Sequence, residues 1–253
     1  MHTTLAPIIA TRDLTKEYAG FRAVDSVSLS FDRERVHAVI GPNGAGKTTL
    51  FNLLSGFTPP TSGSIAFEGR DITHSAPADV ARLGIVRSFQ ITSIFPHLTA
   101  LENVKVSLQA KTGLSQRFLA SSSATRSLDE PALQILSDVG MTEFAQHYAA
   151  HLPYGRKRSL ELAISLAQDP PLLLLDEPTA GMGHEDIAHT IALIKRIAKG
   201  RTIVLVEHNL RVVEDVCDRV TVMQRGRVLV EGSYAEVRAD QRVVDAYLGG
   251  GAQ

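Results

Sequence analysis

The stretch Gly41-Pro42-Asn43-Gly44-Ala45-Gly46-Lys47-Thr48-Thr49 carries the densest chemistry in this chain. It runs glycine, four residues, glycine, lysine and a hydroxyl residue, a spacing that suits one task. Glycines let the backbone curl until several N–H groups point inward, and such a ring of donors binds a polyphosphate. Lys47 is placed to reach the two terminal phosphates, and the Thr48 hydroxyl to bind Mg²⁺. A second cluster lies far down the chain, where Leu172 to Leu175 deliver Asp176-Glu177-Pro178. An apolar strand that ends in an acid is the expected partner of a phosphate loop. Asp176 would hold Mg²⁺ through water, and Glu177 is a candidate general base for the attacking water. Either acid alone would pass for a helix cap or a solvated turn; the pair after four leucines is far more specific. These residues together imply a chain that binds and hydrolyses a nucleoside triphosphate.

The elements around these residues must bring them together. Arg35 to Ile40 reads as a buried strand before the loop, and Lys47 to Leu54 as a helix after it that stops at Gly56. The helix N-terminus adds partial positive charge where the phosphates would sit. Thr202 to Val206 is continuously apolar, as a central parallel strand should be. His208 closes that strand and Gln90 closes the one that begins near Gly84. A lone strand-end histidine is usually structural. In a parallel sheet, however, ligands sit at the carboxyl ends of the strands, so Lys47, Gln90, Glu177 and His208 would converge on one polyphosphate.

The rest of the chain supports an α/β fold with two textures. Residues 8 to 31 read as two strands around a turn at Tyr18-Ala19-Gly20. Tyr18 is either a loop anchor or a platform for a purine ring. Ser64 to Glu68 is a short strand, Pro77 to Leu83 a short helix. From about residue 92 to 168 the pattern is helical. Thr99-Ala100-Leu101-Glu102 is a capping box opening a helix to about Ala110. Lys111 to Ser127 reads as a long polar loop, partly helical at most. A helix starts at Asp129 and Pro131 and ends at Gly140, and a third runs from near Gly155 to Gln168. Leu133, Leu136 and Val139 give this block an apolar face, so it reads as an inserted subdomain. Strand rhythm then returns, with a helix from Glu185 to Ala198, a hairpin turning at Arg225-Gly226 and a final helix ending near Tyr247-Leu248. The expected organisation is a single domain, with a core at about 1–91 and 169–253 and a helical subdomain at about 92–168.

Composition excludes several other classes. The chain has 253 residues, 44% hydrophobic and 21% charged, with a formal net charge of −1, so no polyanion-binding surface and no nucleic-acid partner are indicated. No apolar run approaches the roughly 20 residues that span a bilayer. Residues 1 to 7 lack the charged start and apolar core of a signal peptide. The single Cys217 suits a reducing cytoplasm and reads as a small apolar helix residue.

In this order, Gly41 to Thr49, Gln90, Leu152-Pro153-Tyr154-Gly155-Arg156, Leu172 to Glu177, Ala180-Gly181-Met182-Gly183 and His208 resemble the ATPase subunits of ABC transporters over about residues 8 to 248. The resemblance implies a P-loop NTPase (RecA-like) core with an N-terminal antiparallel β part, ATP and Mg²⁺ as cofactors, and a head-to-tail pair of ATPase subunits. ATP would then lie between one subunit's Gly41 to Thr49 and the other's Pro153, Tyr154 and Gly155. By the same resemblance Tyr18 stacks adenine, Gln90 senses Mg²⁺ and contacts the permease, and His208 holds the γ-phosphate and water.

A narrower resemblance runs through Arg87-Ser88-Phe89-Gln90, Phe95 to Val104, the Ser-rich stretch, Leu152 to Gly155 and Ala246-Tyr247-Leu248-Gly249. These look like the subunits of branched-chain (hydrophobic) amino acid importers. That likeness implies permease partners, a periplasmic or extracellular solute-binding protein, and a peripheral place on the cytoplasmic face of the plasma membrane. Urea-type and lipopolysaccharide-type ATPases share much of the pattern, and a soluble ABC ATPase outside transport is the rival of another class. No regulatory domain is expected after residue 248.

The chain departs from the wider family at two points. Pro153 stands where that family has a serine, with Tyr154 at the next glycine, and Gly183 stands where it has an aspartate. Proline offers neither hydroxyl nor N–H to a phosphate. Arg156, Lys157 and Arg158 either form a solvated helix face or turn toward a partner's ATP.

Overall fold

A computed structural model describes residues 6–88, 94–112 and 127–248. The described residues divide into two compact units, one built from residues up to Arg87, Pro171–Pro178 and Ala198 onward, the other from Ser88–Pro170 and Thr179–Ile197.

The first unit holds two sheets. One is antiparallel and contains β1 (Ile9–Tyr18), β2 (Phe21–Val27), β3 (Ser30–Phe31), β5 (Ser62–Phe67) and β6 (Arg70–Asp71), in the order β2-β1-β5-β6 with β3 also on β1. The turn between β1 and β2 falls at Ala19-Gly20, as the sequence implies. The second sheet has the order β11-β10-β4-β9-β8-β7, from Arg227–Gly232, Arg219–Gln224, Val36–Ile40, Thr202–Val206, Leu172–Asp176 and Ile85–Ser88. All five residues of β4, of β8 and of β9 are buried, which is why their sequences run apolar instead of alternating. The three strands are parallel, and their register is what matters for the site. Val39 and Asp176 both pair with Val206, and Ile40 pairs with Val222 of β10. Gly41, Glu177 and Glu207 therefore leave the sheet at one edge. Helix α1 (Lys47–Leu54) buries Leu50, Phe51, Leu53 and Leu54 in a core shared with Ile9, Leu14, Phe31, Ile65 and Phe67.

A short helix α2 (Pro77–Arg82) precedes β7, with Pro77 in its first turn. Toward the C-terminus lie α7 (Leu210–Val216), α8 (Tyr234–Ala239) and α9 (Gln241–Leu248), and the last ends at Leu248, where the sequence places the end of the final helix. Cys217 is the C-cap of α7 with extended backbone rather than a residue inside a helix, and burial pushes its thiol pKa far up. Among the described residues no helix is long and apolar enough to cross a membrane.

The second unit is helical: α3 (Ala100–Thr112), α4 (Asp129–Asp138), α5 (Tyr154–Leu166) and α6 (His184–Ile197), with short 3₁₀ turns at Thr142–Phe144 and Ala149–His151. Val104, Ala132, Leu136, Val139, Met141, Leu160 and Ile194 are fully buried there. The stretch from residue 113 to 126, which carries most of the expected polar loop, lies outside the described residues. One expectation needs correction. Leu133 is 38% exposed and Ala132 takes the buried position beside it, because the α4 stripe runs through 132, 136 and 139. Helix α4 begins at Asp129, as the sequence implies, with Leu128 as its N-cap residue, and the Asp129 carboxylate pairs with Lys105.

The capping box at α3 forms as the sequence reads. Thr99 N–H donates to Glu102 Oε2 at 2.7 Å and Glu102 N–H to Thr99 Oγ1 at 3.2 Å. Thr99→Ala is expected to cost about 1 kcal/mol, read as a lower urea midpoint; an unchanged midpoint would show that the box adds nothing to this helix.

Candidate functional site

The phosphate loop joins β4 to α1 under tight backbone constraint. A Cβ on Gly41 would lie 2.1 Å from the Met223 carbonyl oxygen, and one on Gly46, whose φ is 101°, would lie 2.3 Å from that of Ala23. Neither position can carry a side chain without moving backbone. Gly41 and Ala45 are buried, Pro42, Gly46 and Thr49 are partly exposed, and Asn43, Gly44 and Thr48 face solvent. Lys47 is buried, and its ammonium donates to the Gly41 carbonyl at 2.7 Å and the Pro42 carbonyl at 3.1 Å. Burial lowers its pKa, while the charges of Glu177 and Asp176 oppose that shift. No acid occupies the first turn of α1, so its positive end is not neutralised there.

Glu177 and His208 come from neighbouring strand ends. Glu177 N–H donates to Val206 O at 2.9 Å, and its Oε1 lies 3.1 Å from His208 Nε2. The φ of Glu177 is +46°, a left-handed value that costs a non-glycine residue on the order of 1–3 kcal/mol. The turn carrying His208 is held by the buried Glu207, whose Oε2 accepts from His208 N–H at 3.0 Å and Asn209 N–H at 3.1 Å. Asn209 then caps α7 by accepting from Arg211 N–H.

Asp176 is buried at the end of β8 and bound by a residue that sequence reading did not assign. Arg87 Nη2 lies 2.6 Å from Asp176 Oδ2, with both side chains more than 90% buried, and Arg87 Nη1 donates to Asn52 Oδ1 at 2.6 Å. The guanidinium also lies 5.8 Å from the centre of the Phe51 ring. A usable signal was present: an arginine inside Ile85-Val86-Arg87-Ser88, a strand with apolar neighbours, must find a charge partner if it is buried. Gln90 lies outside the described residues. Tyr18 ends β1, is 46% exposed and has the Lys16 ammonium 5.1 Å from its ring centre. Among the described residues no cluster of three or more His, Cys, Asp or Glu side chains could hold a metal.

In the second unit, Pro153 is the N-cap of α5 and Tyr154 its first residue. Tyr154 is 60% exposed, and its hydroxyl donates to the Ala180 carbonyl at 3.1 Å. A Cβ on Gly155 would lie 2.9 Å from Asp186 Oδ1. Gly183 is exposed. Two of the three cations after Gly155, Arg156 and Arg158, engage groups of this unit instead of lying on a solvated face. The Arg156 guanidinium stacks 4.9 Å over Phe144 and donates to the Gly140 carbonyl at 3.3 Å. Arg158 is buried and pairs with Glu161 at 2.6 Å, which opposes the upward shift that burial gives the Glu161 carboxyl.

Comparison with known proteins places these features. The profile of the family described as ABC transporter matches residues 24–180, and that of the branched-chain amino acid ATP-binding cassette transporter matches residues 227–253. The chain is 37% identical to the high-affinity branched-chain amino acid transport ATP-binding protein BraF of Pseudomonas aeruginosa, over 96% of this chain and 98% of that one. It is 35% identical to the corresponding protein LivG of Escherichia coli K12, with the same coverage. Its fold is similar to an ATP-binding cassette of an ABC transporter in the ADP conformation, with a TM-score of 0.83 and 29% identity over 96% of this chain and 99% of that chain. It is also similar to a dimeric ATP-binding cassette in a post-hydrolysis state bound to ADP and Pi, with a TM-score of 0.74 and 26% identity over 89% of this chain and 98% of that one.

The Arg87–Asp176 pair sets a prediction for stability. Arg87→Met leaves a buried carboxylate without this partner, and the expected loss is about 3 kcal/mol in urea unfolding. A loss below about 1 kcal/mol, as for an exposed pair, would mean that Asp176 is not held by Arg87 in solution.

Proposed function

This chain belongs to the ABC transporter ATP-binding family, and on that premise we propose that it hydrolyses MgATP to power a membrane importer of branched-chain or other hydrophobic amino acids. The contact that carries the hydrolytic reading is the 3.1 Å approach of His208 Nε2 to Glu177 Oε1. It stands on the sheet edge from which the phosphate loop also departs. The solute class rests on the match over residues 227–253 and on the names of the relatives.

The roles follow from chemistry. The N–H groups of Gly41 to Thr49 cradle the phosphates, and Lys47 turns from its carbonyl partners toward the terminal ones. Thr48 and, through water, Asp176 would hold Mg²⁺, a hard cation that would offset the charge of the terminal phosphates. Glu177 accepts the proton of the attacking water, His208 orients the γ-phosphate, and Tyr18 offers a ring to adenine. Gln90, by the family resemblance, would be a further residue at the metal.

The partners are a second ATPase subunit, transmembrane permeases and a solute-binding protein on the far side. The chain sits peripherally on the cytoplasmic face of the membrane. We read it as one ATPase domain with an inserted helical subdomain. Pro153, Tyr154 and Gly155 serve the partner's ATP. Because Pro153 lacks a hydroxyl and an N–H, that ATP is held less well than the one in this chain's own loop. A heterodimer confines the weakness to one of the two sites, and we assign this arrangement to the complex.

Two experiments test this. In proteoliposomes with the permeases and binding protein, leucine, isoleucine or valine should stimulate ATPase activity. Glu177→Gln should keep MgATP affinity and lose turnover by at least about a hundredfold. Stimulation by urea and not by these amino acids would move the chain to the alternative importer class, and normal turnover in the glutamine variant would place the general base elsewhere.

The second compares the isolated subunit with the complex. Pro153→Ser should raise turnover of the purified subunit alone. Full turnover without a partner, indifferent to that substitution, would remove the argument for unequal sites.

A further inference from the structure

The tail of the phosphate loop is gripped from two sides by segments far away in sequence. On one side is β2, whose Ala23 carbonyl fills the space where a Gly46 side chain would be. On the other is the tip of the β10–β11 hairpin. Gly226 N–H donates to the Ala45 carbonyl at 3.0 Å, and the Gly226 Cα lies 3.4 Å from the Cβ position of Gly46. The tip is also tied to β2, because Asp25 N–H donates to the Gly226 carbonyl at 2.8 Å. One ion pair closes this arrangement. Asp25 Oδ2 accepts from Arg227 Nε at 2.8 Å and lies 2.6 Å from Arg227 Nη2, while Asp25 Oδ1 takes Arg22 Nη1 and Ser26 Oγ at 3.3 Å each. The Asp25 side chain is 10% exposed and that of Arg227 70%.

We propose that Asp25 and Arg227 are positioning residues for the nucleotide, whose ion pair latches the hairpin tip onto Ala45-Gly46 and so fixes where Lys47 begins. The inference rests on the reading of Gly41 to Thr49 as the ATP site. The body of the hairpin does not need the latch: β10 is anchored to β4 by four parallel residue pairs. Removing the pair therefore loosens the tip and leaves the sheet. Lys47 follows Gly46 directly, so slack at the tip reaches the ammonium and the N–H ring of the loop. A displacement of that kind costs binding and alignment more than folding. Arginine suits the role because its Nε and Nη2 both reach the Asp25 carboxylate.

The test uses the full chain and MgATP calorimetry beside thermal unfolding without nucleotide. Arg227→Met and Asp25→Asn are each expected to weaken MgATP binding about five- to tenfold, at the low end for coupled sites. The double variant should be no weaker than either single, because the two residues act as a unit. Arg227→Lys, which keeps the charge, should recover part of the affinity lost in Arg227→Met. Arg227→Met should move the unfolding midpoint by less than about 3 °C, as expected for an exposed side chain.

Unchanged affinity in both single variants overturns the latch, and so does a lower midpoint with unchanged affinity, which would reduce the pair to a fold contact. Lys47→Ala is measured alongside. If it binds MgATP normally, the placement of ATP fails and the latch fails with it. If it loses binding while Arg227→Met does not, the latch alone is wrong.

Discussion

Close backbone packing around the phosphate loop is the constraint on which the first unit depends. Gly41 meets the Met223 carbonyl and Gly46 meets that of Ala23, so strands β10 and β2 press directly on the loop with no side chain between. That contact requires β4 to lie beside β10, in the register that pairs Ile40 with Val222. The same parallel register runs through β9 and β8, and it brings Asp176 level with Val206. A loop that binds phosphate by its N–H groups must be rigid to be useful. Here rigidity comes from a sheet whose central strands are buried from end to end.

Charge at the sheet edge is arranged with equal economy. Lys47 is buried with its ammonium on two loop carbonyls, near the carboxylates of Asp176 and Glu177. Asp176 is neutralised by Arg87, which also reaches Asn52 in α1, so β7, β8 and α1 meet at one buried ion pair. Such a pair is weak evidence for net stability, since desolvation offsets most of the Coulomb energy, but it fixes geometry strongly. Glu177 has a strained left-handed backbone and is only partly buried. Strain of this kind persists only where the surroundings over-determine it. Here the Glu177 N–H bond to Val206 and the close approach to His208 supply that determination.

Much of this was legible in the sequence because the signals were local. Glycine spacing marked the phosphate loop, continuous apolar runs marked β8 and β9, and Thr99 with Glu102 marked the start of α3. The hairpin at Arg225-Gly226 was visible from its turn. What stayed hidden depended on distant partners. The tie between Arg87 and Asp176 spans 89 positions, and nothing in Asp176-Glu177 announces it. The sequence leaves Arg156 and Arg158 open between a solvated face and a turn toward a partner's ATP, because the groups that engage them, Phe144 and the Gly140 carbonyl for one and Glu161 for the other, are set by tertiary packing. Leu133 read as core because the α4 stripe is offset by one residue, a shift that helical periodicity over ten residues does not resolve.

Hydrogen exchange with and without a non-hydrolysable MgATP analogue tests the central claim most directly, namely that the strand ends of one sheet converge on one triphosphate. The account predicts that peptides covering residues 41–49, 172–178 and 203–209 gain protection together, with one dependence on nucleotide concentration. Protection of residues 41–49 without any change at 172–178 and 203–209, or protection centred on another part of the chain, would contradict it.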